Sequence, residues 1–575
     1  MIQRKEKTMN SCVARLNDGI LTVENGLFKR EYTGVASVQT EISDNGGLSV
    51  PFLKVTAELD GGESREYRVW ENLAAIEMAS HKAEDTIMLC GEHWIVRAAK
   101  LFTLTDNHDT FISENVVHMF AGGIREVQGH FFFLENPETC EAVVVIAETP
   151  DYQNAVLRIR NHEVSLEAFG NGAVFGFCKM GECEKFTRDI YRHLWKPLPL
   201  QSMSNTWGDR NGWSRVQDDF VRREIDAAEE LMVDIAQIDD GWQTGCTGDP
   251  KIFNEKRQRM FLGDFWELNT ERFPEGIPAI TEYAKKKGVK MGLWFAPDGR
   301  NDFELLERDK AVLRKAYDEW GIRFFKLDML FVVSELGKQR FLELLSTVYS
   351  FGDDVSVQLD ITNGQRLGYL CGAKYGTLFM ENRYTKSANS FPHRILRNMW
   401  MLSHYLPVAK FQFEMVNPTL FTEEYNANDP FVPALYEQDY MFAVVMLSNP
   451  LYWMEMQFLP QERRDELMRL VPIWREHRDA LGKADVSPVG EKPSGRAHTG
   501  FCAVTDGGKG DEAYLLLFRE VTDRANARFD LPIEISDAEL IASNGDAEWS
   551  CDGNSIKVSF GKEREYVFLK AKINK

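Results

Sequence analysis

Two acidic residues, Asp328 and Glu381, are the first candidates for chemistry, because each directly follows a short apolar run. Paired carboxyl groups are the machinery of glycoside hydrolysis, which is retaining when they lie about 5–5.5 Å apart and inverting at about 6.5–9.5 Å. Spacing along the chain does not measure that separation, so both stereochemical outcomes stay open. For a lone glutamate such as Glu381, a solvated position on a rim is the ordinary alternative.

The run before Asp328 contains a second charged residue, Lys326. Side chains alternate between the two faces of a strand, so Lys326 and Asp328 share one face, opposite Leu327. Charges buried together need a partner or a function. A neighbouring ammonium favours the ionised carboxylate that a nucleophile requires. A purely structural Lys326–Asp328 ion pair is the alternative.

A further acidic segment, Asp239-Asp240-Gly241-Trp242, follows another apolar run. Adjacent carboxylates at a strand end cost free energy unless they are hydrogen-bonded, and sugar hydroxyls are suitable partners. Trp242 offers a flat apolar face to a sugar, and Trp294 would close one side of a pocket. The alternatives are an acidic turn ended by Gly241 and, for Trp294, an aromatic side chain buried in the core.

The elements that would position these residues follow Pro199, where apolar runs alternate with helical patterns. This alternation is typical of repeated βα units. Strands are predicted near 202–207, 233–239, 289–295, 321–328, 354–360, 376–380, 407–413 and 449–456, and the clearest helices at 217–231 and 278–287. Eight such strands predict a (β/α)8 TIM barrel, with a doubly wound open sheet as the alternative. Catalytic residues of such barrels lie at the carboxyl ends of the strands.

The regions on either side of the barrel show a different pattern. Residues 18–185 contain short strands separated by Gly, Asn and Asp, which predicts an antiparallel β-sandwich. From about residue 485 short strands return, which predicts a small antiparallel β domain. We therefore expect a multidomain α/β plus β protein with a sandwich at 1–195, the barrel at 196–483 and a C-terminal β domain at 484–575.

The charge balance disfavours nucleic acid and anionic membranes as partners, because acidic residues outnumber basic ones by 88 to 67 and the net charge is −21. We find no apolar stretch of about 18 residues that would span a membrane. The N-terminus also lacks the apolar segment of about 7–15 residues of a secretory signal. We therefore expect a cytoplasmic protein that binds a small molecule.

Motifs for metals and cofactors are missing from the sequence. The nine cysteines form no C-x-x-C pair, which predicts buried, reduced thiols. There is no His-Glu-x-x-His or Cys/His cluster, so we expect no metal. The chain also lacks a P-loop, a dinucleotide fingerprint and a Gly-x-Ser-x-Gly elbow, which argues against a kinase, a dehydrogenase and a serine hydrolase. We expect no cofactor.

Taken together, four segments over about residues 200–480 resemble glycoside hydrolase family 36, the α-galactosidase family of the melibiase type. Each segment matches one family motif, and the four occur in this order: Asp239-Asp240-Gly241-Trp242 for Leu-Asp-Asp-Gly-Trp, Leu262-Gly263-Asp264 with Phe273-Pro274-Glu275-Gly276 for Leu-Gly-Asp-Trp and Pro-x-Gly, Gly292-Leu293-Trp294-Phe295-Ala296-Pro297 for Gly-Leu-Trp-Phe-Glu-Pro, and Lys326-Leu327-Asp328 for Lys-Trp-Asp.

The resemblance implies a role for each matching residue. Asp328 would be the nucleophile, and Lys326 would contact a sugar hydroxyl and balance the charge of Asp328. Asp239 and Asp240 would bind ring hydroxyls, and Trp294 would form a wall of the pocket.

Two segments depart from the family pattern. The family's Cys-x-Ser-Gly-Gly-Gly-Arg appears as residues 360–366, where Gly364 and Arg366 persist, and Arg366 is assigned to substrate binding. The family's acid/base lies in Ser-Asp-Asn-Thr-Asp, for which residues 380–384 are the best match. This match assigns the acid/base role to Glu381 and sugar binding to Asn382. Because Glu is one methylene longer than Asp, it requires an adjusted backbone or a different aglycone position.

The resemblance thus implies a retaining exo-α-glycosidase, with α-galactosidase the leading interpretation. An α-N-acetylgalactosaminidase, another α-glycosidase or a transglycosidase is the alternative within catalysis. A carbohydrate-binding barrel without hydrolysis is the alternative from another class. A small carbohydrate is the expected partner, and the family's habit suggests a homo-oligomer.

Overall fold

The computed structural model describes the following residues, and the structural features below belong to them: 13–17, 20–25, 28–33, 35–43, 50–58, 64–70, 75–78, 86–89, 91–103, 110–120, 122–147, 155–167, 172–195, 199–210, 215–245, 264–297, 299–332, 334–360, 370–380 and 383–574.

The N-terminal region forms two antiparallel sheets and one helix. Its strands are β1 (Val13–Asn17), β2 (Ile20–Asn25), β3 (Phe28–Tyr32), β4 (Val35–Ser43), β5 (Val50–Glu58), β6 (Ser64–Trp70), β7 (Ala75–Met78), β8 (Thr86–Leu89), β9 (His93–Thr103), β10 (Thr110–Phe120), β11 (Ile124–Gly129), β12 (Phe131–Asn136), β13 (Glu141–Ala147), β14 (Ala155–Arg160), β15 (Glu163–Glu167) and β16 (Ala173–Lys179), and helix α1 is Cys183–Leu194. In the described part, one sheet has the order β1-β2-β3-β8-β15-β14-β11 and the other β10-β9-β12-β13-β16-β7-β6-β5-β4.

Strand β12 explains how the larger sheet joins the barrel. Its residues are buried throughout, because both faces of the sheet are covered. Phe132 and Leu134 pack into the core of the sandwich, whereas Phe131 and Phe133 face the barrel side. There the ring of Phe131 stacks on that of Tyr405, with the ring centroids 4.8 Å apart.

The central region is a closed parallel barrel, as predicted. Its eight described strands are β17 (Met203–Asn205), β18 (Ile235–Ile238), β19 (Lys290–Phe295), β20 (Phe324–Leu327), β21 (Ser356–Asp360), β22 (Thr377–Phe379), β23 (Phe411–Met415) and β24 (Asn449–Tyr452). Parallel pairing of Met203 with Leu451 closes the barrel between its first and last strands. Each predicted strand overlaps one observed strand, so the (β/α)8 prediction is confirmed.

Helices alternate with most of these strands and cover the barrel. They are α2 (Asp218–Glu230), α3 (Gly276–Lys286), α4 (Leu306–Asp318), α5 (Glu335–Tyr349), α6 (Pro392–Leu402), α7 (Gln438–Val445) and α8 (Gln461–Lys483). Short 3-10 helices lie at Gly208–Arg210, Gly299–Asn301, Leu370–Lys374, Thr385–Ser387, Val408–Lys410, Thr422–Glu424, Pro433–Leu435 and Met456–Phe458. Helix α2 buries Val221, Ile225 and Ala228, the face that its sequence periodicity predicts. Within the described part, no helix has the length and apolar character needed to cross a membrane.

The C-terminal region returns to antiparallel sheet. Its strands are β25 (Asp485–Gly490), β26 (His498–Val504), β27 (Glu512–Arg519), β28 (Asn526–Asp530), β29 (Ile535–Ser543), β30 (Glu548–Asp552), β31 (Ser555–Ser559) and β32 (Glu565–Ile573). They form sheets of order β25-β26-β27-β32-β29 and β28-β31-β30. The predicted fold class, a TIM barrel between two antiparallel regions, is confirmed. The domain boundaries at 195/196 and 483/484 stay predictions.

A buried ion cluster ties the three regions together. Arg188 of α1 forms a two-pronged ion pair with Asp485 of β25, with Nε 2.8 Å from Oδ1 and Nη2 3.2 Å from Oδ2. Its Nη1 donates to the carbonyl oxygen of His404 at 2.9 Å, in the segment after α6. Arg192 also donates to Asp485. Burial by itself would raise the pKa of Asp485, but Arg188 and Arg192 outweigh burial and lower it to about 2.

We expect Asp485→Asn to lower the free energy of unfolding at pH 7 by about 3–5 kcal/mol, because it leaves Arg188 buried without its counter-charge. The native pKa of Asp485 lies below its unfolded value of about 3.9. Its contribution is therefore fully present above pH 4 and disappears as the pH falls from about 4 towards 2. Urea denaturation of both proteins across this range measures the difference. The control is Glu307→Gln, which removes an exposed ion pair with Lys310 and should change stability little.

Candidate active site

The centre of the site is the ammonium of Lys326, which lies inside the barrel on β20. Its Nζ is 2.8 Å from Oδ2 of Asp239 and 2.9 Å from Oδ2 of Asp360. The Lys326 side chain is 2% exposed, and Nζ lies 4.9 Å from the ring centroid of Trp453. An ammonium has three protons, so one remains for a further acceptor. Two carboxyl groups and an aromatic face therefore surround one buried cation.

The electrostatics of Lys326 follow from this arrangement. Burial lowers the pKa of Lys326, but the charges of Asp239, Asp360 and Asp328 outweigh burial and raise it above its ordinary value. Lys326 is therefore positively charged at neutral pH. The sequence predicted Lys326 as the charge partner of Asp328, and Asp328 does act on it electrostatically. The contacts of its Nζ at 2.8 and 2.9 Å, however, are with Asp239 and Asp360.

Asp239 accepts hydrogen bonds at both of its carboxyl oxygens. Its Oδ2 accepts from Nδ2 of Asn205 at 2.7 Å as well as from Lys326. Its Oδ1 accepts from the backbone N–H of Asp240 at 2.8 Å. These donors come from β17, from the segment after β18 and from β20, so barrel closure creates the site. Three donors to one carboxylate favour its ionised form.

Asp328 lies at the carboxyl end of β20 and is half-buried. Nε1 of Trp294 donates to its Oδ2 at 3.0 Å, and the backbone N–H of Met329 donates to its Oδ1 at 2.5 Å. Met329 has a φ of 54°, a left-handed conformation that is uncommon for a residue with a side chain. The predicted pocket wall, Trp294, thus orients the predicted nucleophile.

Asp240 and Trp242 lie in different surroundings from Asp239. Asp240 is 8% exposed, and its Oδ1 accepts from Nε2 of Gln243 at 2.6 Å. Trp242 is fully buried, and its Nε1 donates to the carbonyl oxygen of Trp294 at 2.9 Å. Its ring packs against that of Trp320, with the centroids 5.5 Å apart. Trp242 therefore packs behind Trp294, and its predicted contact with a sugar stays a prediction.

Three predicted site residues, Arg366, Glu381 and Asn382, lie outside the described residues. The roles of Glu381 as acid/base and of Arg366 and Asn382 in sugar binding therefore stay predictions. The neighbours of Glu381 are described. Met380, the residue after β22, is buried. Tyr384 lies near Lys326 and Asp360, and its hydroxyl accepts from Nε1 of Trp207 at 3.1 Å.

Sequence reasoning did not single out Asp360 or Tyr384 as site residues. Asp360 ends β21 and is 1% exposed, and the position of this carboxyl group at a strand end was the available signal. Burial raises the pKa of Asp360; Lys326 opposes this effect and the charge of Asp328 adds to it, giving a value of about 8. Burial also raises the pKa of the Tyr384 phenol above its ordinary value.

The fold and the site together give a (β/α)8 barrel in which three carboxyl groups surround one lysine at the carboxyl ends of the strands. This arrangement was compared with known proteins. Residues 185–324 match the family model described as Melibiase. This stretch includes Asp239, Asp240 and Trp294 and ends just before Lys326. The match confirms the resemblance inferred from the motifs.

Relatives found by sequence agree with this result. Alpha-galactosidase Mel36A of Lactobacillus acidophilus is 25% identical over 115 residues, which are 20% of this chain and 14% of that protein. Alpha-galactosidase 2 of Hypocrea jecorina is 27% identical over 170 residues, which are 26% of this chain and 20% of that protein. The alignments therefore span less than a quarter of the length of either relative.

Solved structures extend the likeness to most of the chain. The GH36 α-galactosidase AgaA of Geobacillus stearothermophilus, in complex with 1-deoxygalactonojirimycin, has a TM-score of 0.65 and 12% identity, covering 96% of this chain and 89% of that one. The α-galactosidase of Lactobacillus brevis has the same TM-score and identity, covering 96% and 84%. At this level of identity the likeness is one of fold.

Lys326→Met should lower the free energy of unfolding at pH 7 by about 3–5 kcal/mol, because it leaves the buried carboxyls of Asp239 and Asp360 without their cation. Chemical denaturation followed by tryptophan fluorescence measures the change. The matched control is Lys315→Met, which removes a half-exposed pair with Glu267 and should have a much smaller effect. Equal losses in the two variants would contradict the central place given to Lys326.

Proposed function

We propose that this chain hydrolyses terminal α-galactosides with retention of anomeric configuration. The observation that carries the proposal is the convergence of Asp239, Lys326 and Asp328 at the carboxyl ends of β18 and β20. The similarity to α-galactosidases supports galactose as the sugar. Relatives have been solved with raffinose and stachyose, so raffinose is a suitable natural test substrate.

Asp328 is the nucleophile in this proposal. It attacks the anomeric carbon through an oxocarbenium-like transition state and forms a covalent glycosyl-enzyme. Attack requires an ionised, oriented carboxylate, and the two donors from Trp294 and Met329 supply both properties. The charge of Lys326 lies close enough to favour the same ionised form.

Glu381 is the proposed acid/base. It protonates the leaving oxygen in the first step and removes a proton from water in the second, which restores the free enzyme. The two carboxyl groups need opposite protonation states at the start. The donors around Asp328 favour its ionised form, and a less polar setting around Glu381 would favour its protonated form.

Asp239 and Asp240 bind sugar hydroxyls in the proposal. Asp239 is already held by three donors, so it offers a rigid acceptor rather than a mobile one. The third N–H of Lys326 would bind a sugar hydroxyl as a donor. Fixed acceptors and donors of this kind reject a sugar whose hydroxyls point elsewhere, because a mismatch leaves buried polar groups unpaired.

The proposal also includes a cytoplasmic location and a homo-oligomeric assembly. The described cysteines are thiols rather than disulfides, which accords with the predicted cytoplasmic location; they are Cys140, Cys178, Cys183, Cys371, Cys502 and Cys551. The homo-oligomeric state remains a prediction that light scattering would test.

We expect Asp328→Ala to lower kcat/KM on an aryl α-galactoside by at least about a thousandfold, because it removes the group that forms the covalent intermediate. The control is Asp354→Ala, which removes an exposed carboxylate that pairs with Arg323 at 2.7 Å near the start of β21. This control should keep wild-type activity. Substantial hydrolysis by the Asp328 variant would contradict the nucleophile assignment. Proton NMR of the wild-type reaction should show α-galactose as the first product.

Glu381→Ala should slow hydrolysis strongly for aryl galactosides with poor leaving groups and much less for those with good ones, because good leaving groups need no protonation. Azide should restore turnover by replacing the water that needs a base. The measurement is kcat/KM across a series of leaving groups. A uniform loss across the series would contradict the acid role while leaving Asp328 as nucleophile.

A further inference from the structure

Asp360 differs from the other two carboxyl groups around Lys326 in the number of donors that it meets. Asp239 accepts from three donors and Asp328 from at least two. Asp360 accepts at Oδ2 from Lys326. Within the described part of the chain, its Oδ1 is buried and has no hydrogen-bond partner. Of the three groups, Asp360 is therefore the least stabilised as an anion.

The charges around Asp360 also favour its neutral form. Lys326 supplies one positive charge, whereas Asp239, Asp328 and Asp360 would supply three negative ones if all were ionised. Asp239 and Asp328 have the donors that an anion needs, so the proton belongs on Asp360. The groups that face Asp360 include Lys326 and Asp328 from β20, Asp239 after β18 and the neutral phenol of Tyr384 after β22.

The position of that proton follows from the hydrogen bonds. Oδ2 already accepts from Lys326, so the proton lies on Oδ1, where it needs an acceptor. A buried O–H group without an acceptor is less stable than one that is paired. A hydroxyl oxygen of a bound sugar is an acceptor of the right kind, and the raised pKa of Asp360, about 8, is consistent with a group that stays protonated at neutral pH.

We propose that Asp360 is a substrate-binding residue that acts as a neutral carboxylic acid, with its Oδ1–H donating to a hydroxyl oxygen of the sugar next to the nucleophile. This inference rests on the proposed function and deepens it, because it assigns one recognition contact and its protonation state. The sugar can accept a hydrogen bond only from the protonated carboxyl, because an ionised carboxylate has no proton to donate. The sugar therefore binds the protonated form in preference.

Preferential binding to the protonated form has a measurable consequence. By linkage, galactose binding should be accompanied by proton uptake near pH 8, and the affinity should fall as the pH rises above 8. Isothermal titration calorimetry of D-galactose in buffers with different ionisation enthalpies measures the uptake directly. This readout needs no turnover, so it does not depend on Glu381.

Three variants separate the possibilities. Asp360→Asn keeps an acceptor for Lys326 and a donor for the sugar but has no proton to exchange, so it should bind galactose at pH 7 within about threefold of the wild type with no proton uptake. Asp360→Ala loses both contacts and should bind about tenfold or more weakly. Asp439→Asn is the matched control, because Asp439 is also a buried aspartate whose pKa burial raises to about 6, but it lies on α7. It should behave like the wild type.

Deoxygalactoses identify the contacted hydroxyl. One monodeoxygalactose should bind the wild type more weakly than galactose, yet bind Asp360→Ala no more weakly than galactose does. The protonation state has its own readout: infrared spectra of protein labelled with ¹³C-aspartate should show a carboxylic-acid C=O band at pH 7 that Asp360→Asn removes and Asp439→Asn leaves in place.

The outcomes distinguish this inference from the proposed function. A wild-type protein that neither binds galactose nor cleaves α-galactosides would overturn the proposed function, and the sugar contact with it. Galactose binding by Asp360→Ala as tight as in the wild type would overturn the inference alone. Absence of proton uptake in the wild type, or an infrared band unaffected by Asp360→Asn, would likewise overturn it while the glycosidase proposal stands.

Discussion

One buried ammonium controls the rest of the site. Lys326 faces Asp239 on one side and Asp360 on the other, and its charge also reaches Asp328. Burying carboxyl groups at the end of a barrel costs several kcal/mol per charge unless a counter-charge and hydrogen bonds offset it. A single cation shared by three acids leaves a net negative site, in which the acid with the fewest donors keeps its proton.

Packed tryptophan side chains hold the groups of the site in place. Trp294 hydrogen-bonds to Asp328, and Trp242 holds the backbone of Trp294 from behind. Trp266 packs against Trp294 with the ring centroids 5.6 Å apart. This wedge of aromatic side chains is rigid, since each ring has few rotatable bonds and is fully packed. In the proposed function this rigidity would keep Asp328 in place for attack, because small displacements of a nucleophile cost large factors in rate.

The flanking sheets contribute in a similar way at longer range. The larger N-terminal sheet presents Phe131 to Tyr405 of the barrel, and the ion cluster of Arg188 and Asp485 joins the first region to the last. None of these contacts touches the site. They fix the segment after α6 and the start of β25 against the barrel, so the parts of the molecule share one continuous core.

The division between sequence and tertiary structure is clear in particular residues. Period-two and period-3.6 patterns located all eight barrel strands, because burial of one face or both must appear in the order of apolar residues. The same alternation put Lys326 and Asp328 on one side of β20, and the rule that strand ends carry function selected Asp239, Asp240 and Trp294. The partners of Lys326, the burial of Trp242 and the single donor of Asp360 were not accessible in this way. They depend on which strands become neighbours when the barrel closes and on distances of a few ångströms between residues far apart in the chain, and linear order contains neither.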